Sequence, residues 1–319
     1  MQKIVNINNR SNENKKFGLV LGLQEKRKHI PTKYLYDEYG SKLFEKICDT
    51  KEYYLTRLEK KILENNAEEI LNISKPSDLF ELGSGSSKKT KVLIKEKLKE
   101  NKSFSYSSFD ISTKALQMGY NEIRKISNIL DINLYLGDFI FDLDKLRLLN
   151  ISRLFLFLGS TLGNFKNDLA ITFLKNLSKI MKKGDYLLLG VDMLKDENII
   201  LSAYNDSKGI TKKFNKNILN VINEKYNLNF NLDNFEHQAV FNSEKSQIEM
   251  FLKSKKNHLI DLPNNKKIDI KNGEKILTEI SRKFTANEIE SILKLSNFKV
   301  NNTFQDKNKY YSLFLLEVN

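Results

Sequence analysis

From about residue 57 to 195, apolar positions alternate between short continuous runs and longer stretches with helical spacing. That alternation predicts a parallel sheet with helices on both faces. The strands are expected at Asp78–Leu82, Ser105–Phe109, Asn133–Leu136, Arg153–Leu158 and Tyr186–Val191. Arg153–Leu158 is the most apolar of these, as a strand covered on both faces must be. After residue 284, Thr285 to Ser296 reads as a capped amphipathic helix, followed by closing strands at Phe298–Phe304 and Tyr310–Val318.

Between about 196 and 284 the pattern changes to a helical piece from Tyr204 to Tyr226, then short alternating strands at Gln247–Leu252 and Ile276–Phe284. A Lys- and Asn-rich loop separates the two strands. The expectation is an α/β fold with a Rossmann-like sheet and an inserted α+β subdomain. Residues 57–195 plus 285–319 form the sheet domain, and 1–56 plus 196–284 form a substrate-binding subdomain. Ligands of open α/β sheets bind outside the carboxyl ends of the strands, where such an insertion sits.

A chain of 319 residues that is 40% hydrophobic and 29% charged can bury a sizeable core without disulfides or metals. The polar stretch from Met1 to Lys16 has no apolar core for a signal peptide, and no apolar run reaches spanning length, so a cytoplasmic protein without membrane contact is expected. The single Cys48 agrees with a reducing compartment. His29, His237 and His258 are far apart in sequence, so no metal site is expected. A net charge of +13 raises the question of nucleic acid, but the lysines are scattered and arginine is scarce, so no nucleic-acid partner is expected.

The segment Glu81-Leu82-Gly83-Ser84-Gly85-Ser86-Ser87 places two glycines directly after a strand, where backbone can approach a ligand that a Cβ would obstruct. Lys88 stands where a dinucleotide loop carries its third glycine, which weakens NAD without excluding it. Asp110 closes the next strand, where a carboxylate can accept ribose hydroxyls. Asp138 follows Gly137 after the third strand and can meet an adenine amine, and Phe139 offers a stacking surface. Each acid alone is more often a helix cap, but three strand-end features in this order point to an adenosine-type cofactor.

In these residues and in several further segments, the chain resembles the L-histidine Nα-methyltransferases of ergothioneine biosynthesis, which use S-adenosyl-L-methionine to make trimethylhistidine (hercynine). The resemblance spans almost the whole chain. It rests on Tyr36-Asp37-x-x-Gly40-Ser41-x-Leu43-Phe44, Glu52-Tyr53-Tyr54-x-Thr56-Arg57, Phe157-Leu158-Gly159-Ser160-Thr161-x-Gly163-Asn164-Phe165 and Ala203-Tyr204-x-Asp206-x-x-Gly209. Thr211-x-x-Phe214-Asn215, Phe235-Glu236-His237, Ile248-Glu249-Met250 and Thr278-Glu279-x-Ser281-x-Lys283-Phe284 add to it. Leu55 stands where a proline often follows the paired tyrosines, and Tyr34 where a tryptophan is frequent.

The resemblance implies that Gly83, Gly85, Lys89, Asp110, Asp138, Phe139 and Gly159 hold the cofactor. It implies that Asn164 and Tyr204 bind the amino-acid carboxylate, that Tyr53 contacts the imidazole and that Glu279 with Ser281 pairs the ring nitrogens. Tyr36 and Phe44 would line the methyl-transfer point, with Tyr36 and Asn164 as the catalytic pair. Independently of the family, Glu279 and Ser281 are two apart in a strand-like segment and so project from one face, a carboxylate beside a hydroxyl. Met250 packs beside the ring or fills a core gap. Asn164 equally suits the cap of the following helix. The aromatic cluster Tyr36, Tyr39, Phe44, Tyr53 and Tyr54 serves core packing, cation binding or both. The expected product is a monomeric enzyme acting on histidine. Its rivals are a methyltransferase for another amino acid such as tryptophan, an RNA methyltransferase and an inactive cofactor-binding scaffold.

Overall fold

A computed structural model describes residues 3–7, 12–85, 87–100, 102–146, 148–263 and 266–319. Ser86 of the glycine-rich segment, and Met1 with part of the polar stretch behind it, lie outside the described residues. In chain order the elements begin with β1 (Ile4–Asn6), α1 (Asn12–Gln24), α2 (Glu38–Cys48), α3 (Tyr54–Ser74), β2 (Asp78–Leu82) and α4 (Lys91–Leu98). Next come β3 (Ser105–Asp110), α5 (Thr113–Arg124), β4 (Asp131–Leu136), β5 (Arg153–Phe157), α6 (Asn167–Ile180) and β6 (Tyr186–Asp192). The inserted region holds α7 (Glu197–Ala203), α8 (Ile210–Tyr226), β7 (Phe235–Asn242), β8 (Gln247–Ser254), β9 (His258–Leu262), β10 (Lys266–Ile270) and β11 (Lys275–Arg282). The chain closes with α9 (Ala286–Leu295), β12 (Phe298–Gln305) and β13 (Tyr311–Val318).

The chain divides into two compact units. The first comprises residues 1–8, 55–194 and 284–319, and the second 9–54 and 195–283. In the first unit an eight-stranded sheet runs β1-β4-β3-β2-β5-β6-β13-β12. Its strands from β1 to β6 pair parallel, while β13 enters antiparallel between β6 and β12. Every residue of β2 and β5 is buried, as continuous apolar strands covered on both faces should be. On one face Phe80, Phe109, Phe155, Phe157 and Phe173 pack into one core. Full burial of such side chains contributes about 1.5–3 kcal/mol each. Thr285 and Glu288 form a reciprocal capping box that starts α9.

Residues 1–56 do not all group with the insertion: Ile4–Asn6 pairs with Leu134–Leu136 as an edge strand of the large sheet. Three residues are too few to carry a readable alternation.

The second unit is built on the antiparallel sheet β11-β8-β7, with α8 packed against it. The expected helix from Tyr204 to Tyr226 is instead broken. Gly209 takes φ +66°, and the Asp206 carboxylate accepts the Ile210 and Thr211 amides at 2.8 and 2.7 Å, which starts α8 afresh. The Lys- and Asn-rich segment is not a plain loop, since β9 and β10 pair antiparallel within it and bury Ile260, Leu262, Ile268 and Ile270. Asn215 fastens α8 to the sheet. Its amide donates to Phe251 O at 3.0 Å and to His237 Nδ1 at 2.9 Å, and its carbonyl oxygen accepts from the Thr278 hydroxyl at 2.6 Å.

Candidate functional site

In the first unit, the segment after β2 turns through Gly83 at φ +67° and Gly85 at φ +51°, a region where an L side chain costs about 1–2 kcal/mol. A Cβ on Gly83 would lie 3.3 Å from the Phe139 ring, so the bare backbone of the loop and this aromatic surface are neighbours. The Gly83 amide donates to Phe109 O and the Gly85 amide to Asp110 Oδ2, at 2.8 and 3.0 Å. Asp110 Oδ1 accepts from the Ser112 amide at 2.9 Å. A carboxylate has about four acceptor directions, so these two bonds fix Asp110 and leave capacity for a diol. Desolvation by burial raises the Asp110 carboxyl above its ordinary value, offset by those amides. Asp138 turns similarly on itself: its Oδ1 accepts the Ile140 amide at 3.1 Å, and its own amide donates to Asp142.

Beneath the loop lies a buried polar chain. Glu81 accepts from the Thr90 hydroxyl and from Tyr106, whose own hydroxyl is 2.8 Å from that of Ser87. Burial is the main influence on Glu81 and raises its carboxyl to about 7, against the hydrogen bonds from Thr90 and Tyr106. A second carboxylate, Glu59 on α3, was not visible as a candidate from sequence. It is fully buried and accepts from Lys89 Nζ at 2.5 Å, the Gly159 amide at 2.7 Å and the Tyr311 hydroxyl at 2.7 Å. Glu59 thus joins two of the expected cofactor residues, Lys89 and Gly159. Gly159 takes φ +80°, and a Cβ there would come 3.0 Å from the Lys89 ammonium. Asn164 ends a short 3-10 helix, Thr161–Asn164, after β5. It is not the cap of α6, because that position belongs to Lys166.

In the second unit the expected aromatic residues meet. Ring centroids of Tyr36 and Phe44 are 5.6 Å apart, Phe44 and Tyr53 5.9 Å, and Tyr53 and Tyr204 6.3 Å, all edge to face. Phe214 on α8, which the sequence offered only as part of a motif and without a role, packs on both Tyr36 and Phe44 at 5.5 and 5.9 Å. Tyr39 is 53% exposed, and Tyr54 takes a hydrogen bond from Lys195 at 2.9 Å. Burial, reinforced by Glu279 and Tyr204, pushes the Tyr36 phenol well above its ordinary range, and burial does the same to Tyr53. Both therefore keep their protons at neutral pH.

Glu279, Ser281 and Met250 are buried together on the sheet. Glu279 pairs across the ladder with Met250, and Ser281 with Ile248, so the carboxylate, the hydroxyl and the thioether share one face. The Tyr204 hydroxyl donates to Ser281 Oγ at 2.7 Å. The Lys283 ammonium, fully buried, donates to both of those hydroxyl oxygens at 2.9 Å. Tyr204 is held from behind as well. His237 accepts from Asn215 at Nδ1, which leaves the proton on Nε2 for the Tyr204 carbonyl at 3.0 Å. Burial lowers the His237 pKa in keeping with that neutral tautomer.

The parallel sheet closed by an antiparallel β13, with a glycine loop after β2 and acids ending β3 and following β4, defines an S-adenosylmethionine-dependent methyltransferase of the Rossmann-like class I kind. The same fold is found in the PH0226 protein from Pyrococcus horikoshii OT3, with TM-score 0.51, 13% identity, and coverage of 89% of this chain and 100% of that one. The model of the family described as histidine-specific, S-adenosylmethionine-dependent methyltransferases matches residues 15–318, and the chain belongs to that family. A relative in Mycobacterium tuberculosis (strain CDC 1551 / Oshkosh), named histidine N-alpha-methyltransferase, is 37% identical over 268 residues, covering 82% of each chain. Ergothioneine biosynthesis protein 1 of Schizosaccharomyces pombe is 30% identical over 302 residues, covering 91% of this chain and 39% of that protein.

Proposed function

We propose that the chain transfers methyl groups from S-adenosyl-L-methionine to the α-amine of free L-histidine, ending at Nα,Nα,Nα-trimethylhistidine (hercynine), the first step of ergothioneine biosynthesis. The observation that carries the substrate reading is the face of β11 that sets Glu279 beside Ser281 and opposite Met250. An acceptor and a hydroxyl at strand spacing match the two nitrogens of an imidazole, and the thioether offers an apolar, polarisable wall.

The residues of the first unit fit an adenosine-type ligand. Gly83 and Gly85 present backbone unscreened by Cβ atoms, Phe139 supplies the adjoining ring, and Asp110 keeps acceptor capacity for a ribose diol. Lys89, Gly159 and Asp138 complete the set that we assign to the cofactor. The cofactor supplies a methyl group activated on a positively charged sulfur.

Everything else follows from binding and orientation by this chain. The leaving thioether needs no proton, so no strong general acid is required and alignment carries the rate. We assign the ring to Tyr53, Met250, Glu279 and Ser281 of the second unit, with Tyr204 acting through Ser281, to which it gives its phenol proton at 2.7 Å, and we keep Asn164 as a ligand of the amino-acid carboxylate. Tyr36 and Phe44 offer aromatic faces to an amine that becomes a quaternary cation, each face contributing roughly 0.5–2 kcal/mol. With its phenol raised by burial, Tyr36 orients the amine as a neutral group and leaves proton loss to water.

We place the enzyme in the cytoplasm as a monomer acting on a free amino acid and not on RNA. Among the described residues no helix is long and apolar enough to cross a membrane. The test is a panel of free amino acids and transfer RNA incubated with the protein and methyl-labelled S-adenosylmethionine. Label is expected in histidine alone. Label in tryptophan or RNA with none in histidine would overturn the assignment.

A further inference from the structure

Lys283 lies fully buried one residue beyond β11, and its ammonium reaches the Tyr204 hydroxyl and Ser281 Oγ, each at 2.9 Å. The three heteroatoms close a triangle, because Tyr204 donates to Ser281 Oγ at 2.7 Å. A serine hydroxyl has one proton and two acceptor directions. In this triangle both acceptor directions of Ser281 are taken, one by Tyr204 and one by Lys283. An ammonium has only donors, so it cannot reverse its role. Ser281 can therefore offer a ligand only its own O–H.

We propose that Lys283 is a positioning residue that determines specificity by fixing Ser281 as an obligate donor, so that the Ser281 and Glu279 pair accepts a neutral imidazole and rejects the protonated ring. This rests on the histidine reading above. A neutral imidazole has one N–H, which suits the Glu279 acceptor, and one bare nitrogen, which suits the Ser281 donor. An imidazolium has two N–H groups, so one of them would confront the Ser281 proton. Removing the ammonium frees an acceptor direction on Ser281, and the hydroxyl can then turn to accept. Among the described residues, the ionisable groups grouped with this face inside the second unit include Lys283 itself, Glu279 on β11, Tyr204 after α7, Tyr36 and Tyr53 on either side of α2, and Cys48 at its end. Glu279 is the only carboxylic acid among them, and it is common to every variant compared below.

The experiment is calorimetric titration of histidine into the full chain loaded with S-adenosylhomocysteine, from pH 7.5 to 5.5, for the wild type, Lys283→Met and Lys283→Arg. With a ring pKa of about 6.5, the neutral fraction of histidine falls from about nine-tenths to about one-tenth across this range, so wild-type Kd should rise about tenfold. Lys283→Arg keeps the donors and should keep that dependence. Lys283→Met should bind more weakly at pH 7.5 and lose most of the dependence, to less than about threefold. S-adenosylhomocysteine affinity, measured alongside, reports whether each variant is folded. If Lys283→Met retains the tenfold dependence, the proposal fails while the histidine reading stands. A wild type whose histidine affinity is flat with pH also overturns it, without recourse to any variant. A wild type that binds S-adenosylhomocysteine but no histidine removes the substrate reading and this proposal together.

Discussion

Glu59 is the most exacting place to perturb the first unit, because one buried carboxylate serves an ammonium, a backbone amide and a phenol at once. In Glu59→Gln the amide oxygen can still accept from Gly159 and Tyr311, but the amide nitrogen then faces the Lys89 ammonium, donor against donor. Leaving one member of a buried ion pair alone costs about 3–5 kcal/mol. The Lys89 side chain is 25% exposed, so water recovers part of that, and about 2–3 kcal/mol is the expected loss. With roughly 2–4 °C of melting temperature per kcal/mol for a domain of this size, Tm should fall by about 4–12 °C. Glu59→Ala should lose more, since the Gly159 amide and the Tyr311 hydroxyl would also be stranded at about 1–3 kcal/mol each. Differential scanning calorimetry and urea unfolding read both variants. A Glu59→Gln protein melting within about 1 °C of wild type would refute the reasoning, because it would mean that the ammonium does not depend on this carboxylate.

Glu81, raised by burial to about 7, should make stability fall as pH rises. Its folded value lies above the unfolded one, so its contribution is fully present below about pH 4.5 and is lost through pH 7, by about 3 kcal/mol in all. Glu81→Gln, which stays neutral, should therefore be more stable than wild type at pH 8 and lose that advantage toward pH 5 in urea titrations; a difference independent of pH contradicts this. Gly83→Ala forces a side chain to φ +67° and brings it against Phe139. A loss of roughly 1–2 kcal/mol, or about tenfold in cofactor Kd, is expected by calorimetry, and unchanged affinity would exclude the loop. Glu279→Gln removes a charged acceptor and should weaken histidine by about 10- to 100-fold, the equivalent of 1.5–3 kcal/mol, with cofactor affinity preserved. Equal losses for both ligands would argue that Glu279 is structural.

The large sheet was legible because its strands are continuous apolar runs bounded by polar turns. Asp78–Leu82 appears with the expected limits, and the neighbouring strands differ by one or two residues at an end. Ile4–Asn6 escaped because three residues carry no period. The hairpin of β9 and β10 escaped for a different reason. Its alternation is present in Ile260, Leu262, Ile268 and Ile270, but the intervening Lys, Asp and Asn residues mask it as a polar loop. Single strand-end residues such as Asp110 could be placed because position along a strand fixes where a side chain emerges. Glu59 could not, since its partners lie between 30 and 252 residues away along the chain, and Lys283, quoted only as part of a motif, gains a role only from its bonds to Tyr204 and Ser281. A buried charge has no sequence signature of its own. His237 shows the intermediate case, where a motif was noticed but its use, orienting the Tyr204 backbone through a neutral tautomer, needed coordinates.

The central claim concerns what is methylated and how far. Mass spectrometry of histidine incubated with purified protein and S-adenosylmethionine tests it most directly. Mono- and dimethylhistidine are expected to rise and fall as Nα-trimethylhistidine accumulates, with fragmentation placing all three methyl groups on the α-nitrogen and none on the ring. Histidine recovered unmodified, from a preparation that binds S-adenosylhomocysteine, would contradict it.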